Sequence, residues 1–264
     1  MNQKFKLITL ICVVLFLSTL FLSTLFLLLN PQANLLNTAP IPTETAVSQT
    51  TTVMIIGNPS PKPAIREQIT EITDRLESDY ILRLERSVTI FPPLGKEDLL
   101  SGTGHYYDFV AGFIHFFILD SQLETLEQPL ATSEKAQWLK NQLAQSKAAW
   151  QVVYIATPPF SSGERGSTPH LQWPYQAWGA DAIISEGDAH YERLHNGITY
   201  IVNGLASERL GQLRTPPPPN SNFSYNETNG LLYLTASPQH LAFDLYIPNH
   251  SNPLDTFTIW TTYK

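Results

Sequence analysis

The sequence predicts an α/β fold, a sandwich of two packed sheets. Three observations predict it. Short apolar strand-like runs alternate with helical ones through the first two thirds of the chain, which suggests βαβ units. From Thr199 onward the pattern is all strand, which suggests a second sheet. The 264 residues are 43% hydrophobic and 15% charged, enough to bury one sizeable core.

Taken in order, residues 53–57 (VMIIG) form a short apolar run closed by glycine, a buried strand. Residues 64–78 carry Ile65, Ile69, Ile72 and Leu76 at helical spacing and predict an amphipathic helix. A second strand follows at 79–84. The aromatic and aliphatic run at 113–120 (FIHFFILD) suits a central strand. Ser133 and Glu134 open a helix that runs to 149 through Trp138, Leu139 and Leu143. Residues 151–156 are β-rich. A loop and a short helix containing Trp173 and Trp178 then lead to a strand at 182–185. The late strands are TYIVNGL (199–205), LLYLTAS (231–237), LAFDLYI (241–247) and TFTIW (256–260). Among them, Arg214 to Asn220 encloses four consecutive prolines and predicts a rigid, extended, exposed loop.

The N-terminus carries a separate signal. Lys4 and Lys6 precede an apolar run from Leu7 to Leu29. At about 1.5 Å per helical residue such a run spans the roughly 30 Å hydrocarbon core of a bilayer. It is long for a cleavable signal, and no small-residue cleavage pattern follows it closely. Residues 1–30 therefore predict an uncleaved membrane anchor, with Lys4 and Lys6 cytoplasmic and the rest of the chain extracytoplasmic. Residues 31–50, rich in Pro, Thr, Asn and Ala, predict a flexible tether, and the folded domain occupies 51–264. Cys12 is the only cysteine, which excludes an internal disulfide framework and a cysteine-rich metal site. A formal charge of −7 without a Lys/Arg cluster excludes a nucleic-acid-binding surface.

Several segments carry chemistry-related motifs in a fixed order. Gly57-Asn58-Pro59-Ser60 follows the first strand. Glu85-Arg86-Ser87 follows the second, and Pro92 to Asp98 (PPLGKED) comes next. Tyr106-Tyr107-Asp108-Phe109 precedes Gly112-Phe113-Ile114-His115-Phe116. Gln137-Trp138-Leu139 lies within the second helix. Ala156-Thr157 precedes Pro158-Pro159-Phe160-Ser161-Ser162-Gly163, and Ser185-Glu186-Gly187-Asp188-Ala189-His190-Tyr191-Glu192-Arg193 closes the series. Together these resemble the motifs of calcineurin-like metallophosphoesterases, in particular the purple acid phosphatase-like branch. The resemblance covers roughly residues 53–259 and implies an α/β/β/α sandwich of two packed mixed sheets. It also implies a hydrolase ancestry in which two metals, bridged by hydroxide, sat at strand ends.

The same resemblance implies that the metal-ligand positions have changed. Asn58 stands at the aspartate of the first motif and Arg86 at that of the second. Lys96 replaces the asparagine of the third, where Glu97 replaces a histidine. Ala156 and Thr157 replace a histidine pair, and Gly187 and Ala189 replace the two closing histidines. The spacings between Arg86 and Gly95 and between Asp98 and Tyr106 are short against the family's loops. The expected protein is thus a membrane-anchored metallophosphoesterase-like chain that has lost its dimetal centre and acts by binding or regulation, without a cofactor.

Two alternatives stay open. With a gap in the last motif, Asp188 and His190 join Asn58 and Asp98 as ligands to a weakly held Fe, Mn or Zn, and phosphoric-ester hydrolysis survives. Otherwise Arg86 and Lys96, if both reach the old metal pocket, hold a phosphate-like anion by charge and fork geometry; against this, each can pair with Glu85 or Glu97 or face water. The partners expected are the membrane, through the N-terminal helix, and a protein or a phosphate-like anion. His115 is expected to be a satisfied core or edge histidine. His105, His170 and His195 are expected in exposed loops.

Overall fold

Alternation along the first strand sets the architecture. In β1 (Thr51–Gly57), Val53 and Ile55 point to one side and Met54 and Ile56 to the other, and all four are buried. A strand buried on both faces needs a layer on each side. The computed structural model of the chain describes residues 50–84, 88–91, 106–119 and 132–261, all within one unit, Ser48–Lys264. In these residues thirteen strands make two mixed sheets. The first runs β13 (Asp255–Trp260), β12 (His240–Tyr246), β11 (Leu231–Ala236), β1, β2 (Tyr80–Leu84) and β3 (Val88–Phe91). The second runs β10 (Ser221–Tyr225), β8 (Tyr191–Asn196), β9 (Ile198–Asn203), β7 (Ala182–Ser185), β6 (Trp150–Ile155), β5 (Ile114–Leu119) and β4 (Tyr106–Ala111). β1 and β2 are parallel, as are β5, β6, β7 and β9.

Between the sheets lies the main core. Val53, Ile55, Leu82, Leu234 and Phe243 from one sheet meet Ile114, Phe116, Val152, Ile184 and Ile201 from the other. The outer face of the seven-stranded sheet buries Phe117, Leu119, Val153 and Ile183 under α2 (Glu134–Gln145), through Ala136, Leu139 and Leu143. The outer face of the six-stranded sheet buries Met54 and Ile56 under Ile69 and Ile72 of α1 (Pro63–Arg75). The layers are therefore α/β/β/α, as the resemblance implied.

Several expectations shift. The late strands do not make a sheet of their own. β9 and β10 complete the sheet begun by β4–β7, and β11–β13 extend the one begun by β1 and β2. α1 ends at Arg75 because Leu76 is already extended (φ −107°) and Asp79 is tied to Thr52, its carboxylate accepting from the Thr52 N–H at 2.7 Å. α2 starts where the Ser133 hydroxyl accepts from Ala136 N, and stops at Gln145 rather than 149. Beyond it, His115 Nδ1 lies 2.9 Å from Ser146 Oγ. Trp173 falls between a 3₁₀ turn (Pro169–Leu171) and the short α3 (Tyr175–Trp178), so the helix holds only Trp178. β8 and β10 have polar sequences, YERLHN and SNFSY, which pattern reading passes over.

Candidate functional site

The carboxyl ends of the parallel strands from both sheets meet at one crest, and glycines permit the approach. A Cβ on Gly57 would lie 1.6 Å from the Asn203 carbonyl at the end of β9, so only glycine allows the ends of β1 and β9 to touch. Asn203 is fully buried and its amide donates to Ile55 O at 3.0 Å, which fixes the contact. Asn58 follows with φ +55°, a left-handed conformation that asparagine tolerates better than most residues. Its N–H donates to Leu84 O, the last residue of β2, and its side-chain amide donates to Ser207 Oγ, both at 2.8 Å. Ser207 in turn donates to Gly204 O at 2.6 Å.

The other crest positions are joined through backbone. Gly187 N donates to Ala156 O at 3.0 Å, and a Cβ on Gly187 would lie 2.1 Å from Pro158 Cδ. A Cβ on Gly204 would lie 2.3 Å from Asp188 O and 3.0 Å from Ala189 Cα. Asn58, Ala156, Thr157, Gly187 and Ala189 thus gather at the strand ends, linked through Ser207 and Gly204. Arg86, Lys96 and Asp98 lie outside the described residues.

Asp188 and His190 sit beside this crest but are engaged in the scaffold. The Asp188 carboxylate is 6% exposed and accepts from Ser161 Oγ at 2.9 Å, while Gly163 N donates to the same Ser161 oxygen at 3.0 Å. Arg165 Nε stands 3.7 Å from its other oxygen. His190 is fully buried, with Nε2 3.4 Å from Glu192 Oε2. Glu192 is also fully buried and accepts from Ser162 N at 2.7 Å. Desolvation pushes the Glu192 carboxyl up, but hydrogen bonds from His190, Ser221 and Ser162 outweigh it and hold its pKa below the ordinary value. The serine-rich segment and the closing motif are in this way clamped together. Arg214 N, donating to Ser162 O at 2.8 Å, pins the start of the exposed proline loop to the same clamp.

Among the described residues, the donor set at this crest does not fit a dimetal centre. A hard metal needs several carboxylate, imidazole or amide ligands converging on one point. Here the described positions offer one amide at Asn58, a hydroxyl at Thr157 and no side-chain donor at Ala156, Gly187 or Ala189. Among the described residues no group of three or more His, Cys, Asp and Glu is arranged to share an ion.

Residues outside the crest explain other parts of the motif frame. Tyr191 and Arg193 both bind Asp255 of β13, the phenol at 3.0 Å and the guanidinium through two bonds at 2.8 and 2.9 Å, which ties one sheet to the other. Asp181 pairs with Gln151 across β6 and β7. His115 of β5 lies between Ser146 and Asp108, 2.7 Å from the latter, and packs on Phe117: a satisfied histidine, as expected. His195 is exposed but belongs to β8, not to a loop; His170 is half-buried in the 3₁₀ turn. His105 lies outside the described residues. Sequence reading missed Asn203 and Ser207, which hold the crest together; an asparagine ending a strand and a serine after a turn give no distinctive signal.

Known structures share this architecture. GAP50, the anchor in the inner membrane complex of Plasmodium, matches with a TM-score of 0.62 at 12% identity, over 81% of this chain and 90% of that one. The purple acid phosphatase PPD1 from yellow lupin (Lupinus luteus) seeds matches with a TM-score of 0.53 at 18% identity, over 60% of this chain and 33% of that one. The matched part thus spans a third of the lupin enzyme. No protein-family profile matches the sequence, and no curated protein does. The chain has the metallophosphoesterase-type α/β/β/α fold that these structures share. At such identities the likeness concerns fold and leaves activity to the site.

Proposed function

We propose that this chain is a catalytically silent, membrane-tethered metallophosphoesterase-like protein that acts by binding. The observation that carries the reading is the crest itself. Where the fold's hydrolases gather ligands, this chain has Gly187 packed on Pro158 and joined to Ala156 by backbone, with Asn58 turned to Ser207. The nearby carboxylate and imidazole, Asp188 and His190, serve the internal clamp. The apolar run at 7–29 lies outside the described residues, among which no helix is long and apolar enough to cross a membrane. The run supports a tether by its length and composition. GAP50, described as an anchor in a membrane complex, has the same architecture at almost full length, which supports extending a scaffold role to this chain.

A second reading, a phosphoric-ester hydrolase with a reduced metal site, is favoured by one observation. His190 Nδ1 is buried without a hydrogen-bond partner among the described residues. The two readings separate by turnover. The purified chain, supplied with Mn, Fe or Zn, should hydrolyse an aryl phosphate no faster than buffer containing the same metal. Turnover that follows added metal and disappears in His190→Ala would establish the hydrolase instead.

A further inference from the structure

Residues 171–176, LQWPYQ, alternate strictly. Leu171, Trp173 and Tyr175 are buried on the outer face of the seven-stranded sheet, while Gln172, Pro174 and Gln176 are exposed. The alternation puts aromatic rings in the floor and carboxamides at the rim of a pocket of about 320 Å³. Half-buried Phe160 and Tyr200 of β9 also line it, meeting edge to face with ring centroids 4.8 Å apart, and Asn196, which ends β8, adds a third amide. None of its described lining residues carries a charge. Two of its polar groups have a bond left to make. Tyr200 is 5% exposed, yet its hydroxyl has no hydrogen-bond partner among the described residues. Burial pushes its pKa up to about 12, so it stays an O–H donor at neutral pH. Gln172 Nε2 donates to Pro159 O at 3.0 Å, which fixes that amide and leaves its oxygen as an acceptor.

We propose that this pocket binds one pyranose ring of an uncharged sugar, with a C–H face of the ring on the aromatic floor and hydroxyls bonded to Tyr200, Gln172, Gln176 and Asn196. A phenol donor and an amide acceptor call for a ligand that both accepts and donates, as a hydroxyl does. Polar side chains spread around the rim call for a ring that is polar along its whole edge and apolar on a face; a flat aromatic amide is polar at one end only. A charged ligand would lose hydration and meet no counter-charge from the described lining residues. The volume lies at the lower end of the range of small-molecule sites, which admits about one such ring with its substituents. No crest position lines this pocket, so its ligand is independent of any metal at the crest.

The test is saturation-transfer NMR on the purified full chain, held in a detergent without a sugar head, with the methyl glycosides of glucose, galactose, mannose and N-acetylglucosamine. At least one should bind saturably, with millimolar or tighter affinity. Tyr200→Phe and Asn196→Ala should each weaken it about fivefold, the size of one lost hydrogen bond. Because the Tyr200 hydroxyl holds no described partner in the free fold, Tyr200→Phe should leave the urea midpoint unchanged or higher, which separates ligand binding from a structural role. Ala177→Trp, at an exposed lining position, should fill the pocket and abolish binding while the far-ultraviolet circular dichroism stays unchanged. No saturable binding of any glycoside by folded chain up to tens of millimolar, unaltered affinity in both the Tyr200 and Asn196 variants, or benzamide binding as tightly as the best glycoside would each overturn the proposal. A disaccharide then distinguishes the ligand's source. Tighter binding than its methyl glycoside supports the site with the end of a glycan as its ligand, and equal binding supports it with a free sugar.

Discussion

Gly187 is the residue where the proposed loss of the metal site bears most directly on packing. The resemblance places a histidine there, yet a Cβ would meet the rigid Pro158 ring at 2.1 Å. Gly187→Ala should therefore destabilise the fold by about 1–3 kcal/mol, the usual cost of overpacking a tight site. Gly187→His should do no less, and it should not recover metal binding; urea unfolding and metal titration check the two statements. Glu192 makes a second residue-level prediction, this time in pH. Its folded pKa lies below the ordinary one, so the unfolded chain takes up the proton first. The stability it contributes is complete above the ordinary glutamate pKa and is lost as pH falls through the lower folded value. Urea midpoints measured down an acid series should fall across that window, and the fall should be shallower in Glu192→Gln. An equal slope in the two proteins would contradict the assignment.

At the scale of elements, the sheets are held by more than their shared core. Asp255 on β13 receives Tyr191 and Arg193 from β8, and all three are largely buried. Asp255→Ala would leave a phenol and a guanidinium without their acceptor, at a cost of roughly 3 kcal/mol. Asp255→Asn, which keeps one acceptor oxygen, should recover part of that in chemical denaturation. The elements themselves were legible to different degrees. β1, β5, β6 and β11–β13 show in the sequence because a face or both faces must be apolar. β8 and β10 did not, because part of what they present is exposed or bonded polar side chains. Sheet membership was not legible either. That β9 runs parallel to β7 while β11 pairs with β1 is decided by long-range packing, which local pattern does not encode.

At the scale of the molecule, the motif frame was readable and its use was not. Ordered segments such as Ser161-Ser162-Gly163 and Tyr191-Glu192-Arg193 pointed to the metallophosphoesterase sandwich, which the architecture bears out. What those residues do follows only from contacts: they are the clamp and the inter-sheet tie. The proposed tether has its own test. The full chain should stay with membranes through alkaline carbonate washing and be released by detergent, whereas a chain beginning at Thr51 should not pellet with them.

The proposed loss of metals at the crest is tested directly by the metal content of the purified full chain, measured by inductively coupled plasma mass spectrometry. Well under a tenth of an equivalent of Fe, Mn and Zn is expected after dialysis without chelator. One or two equivalents of metal per chain, reduced by His190→Ala, would contradict it and restore the hydrolase.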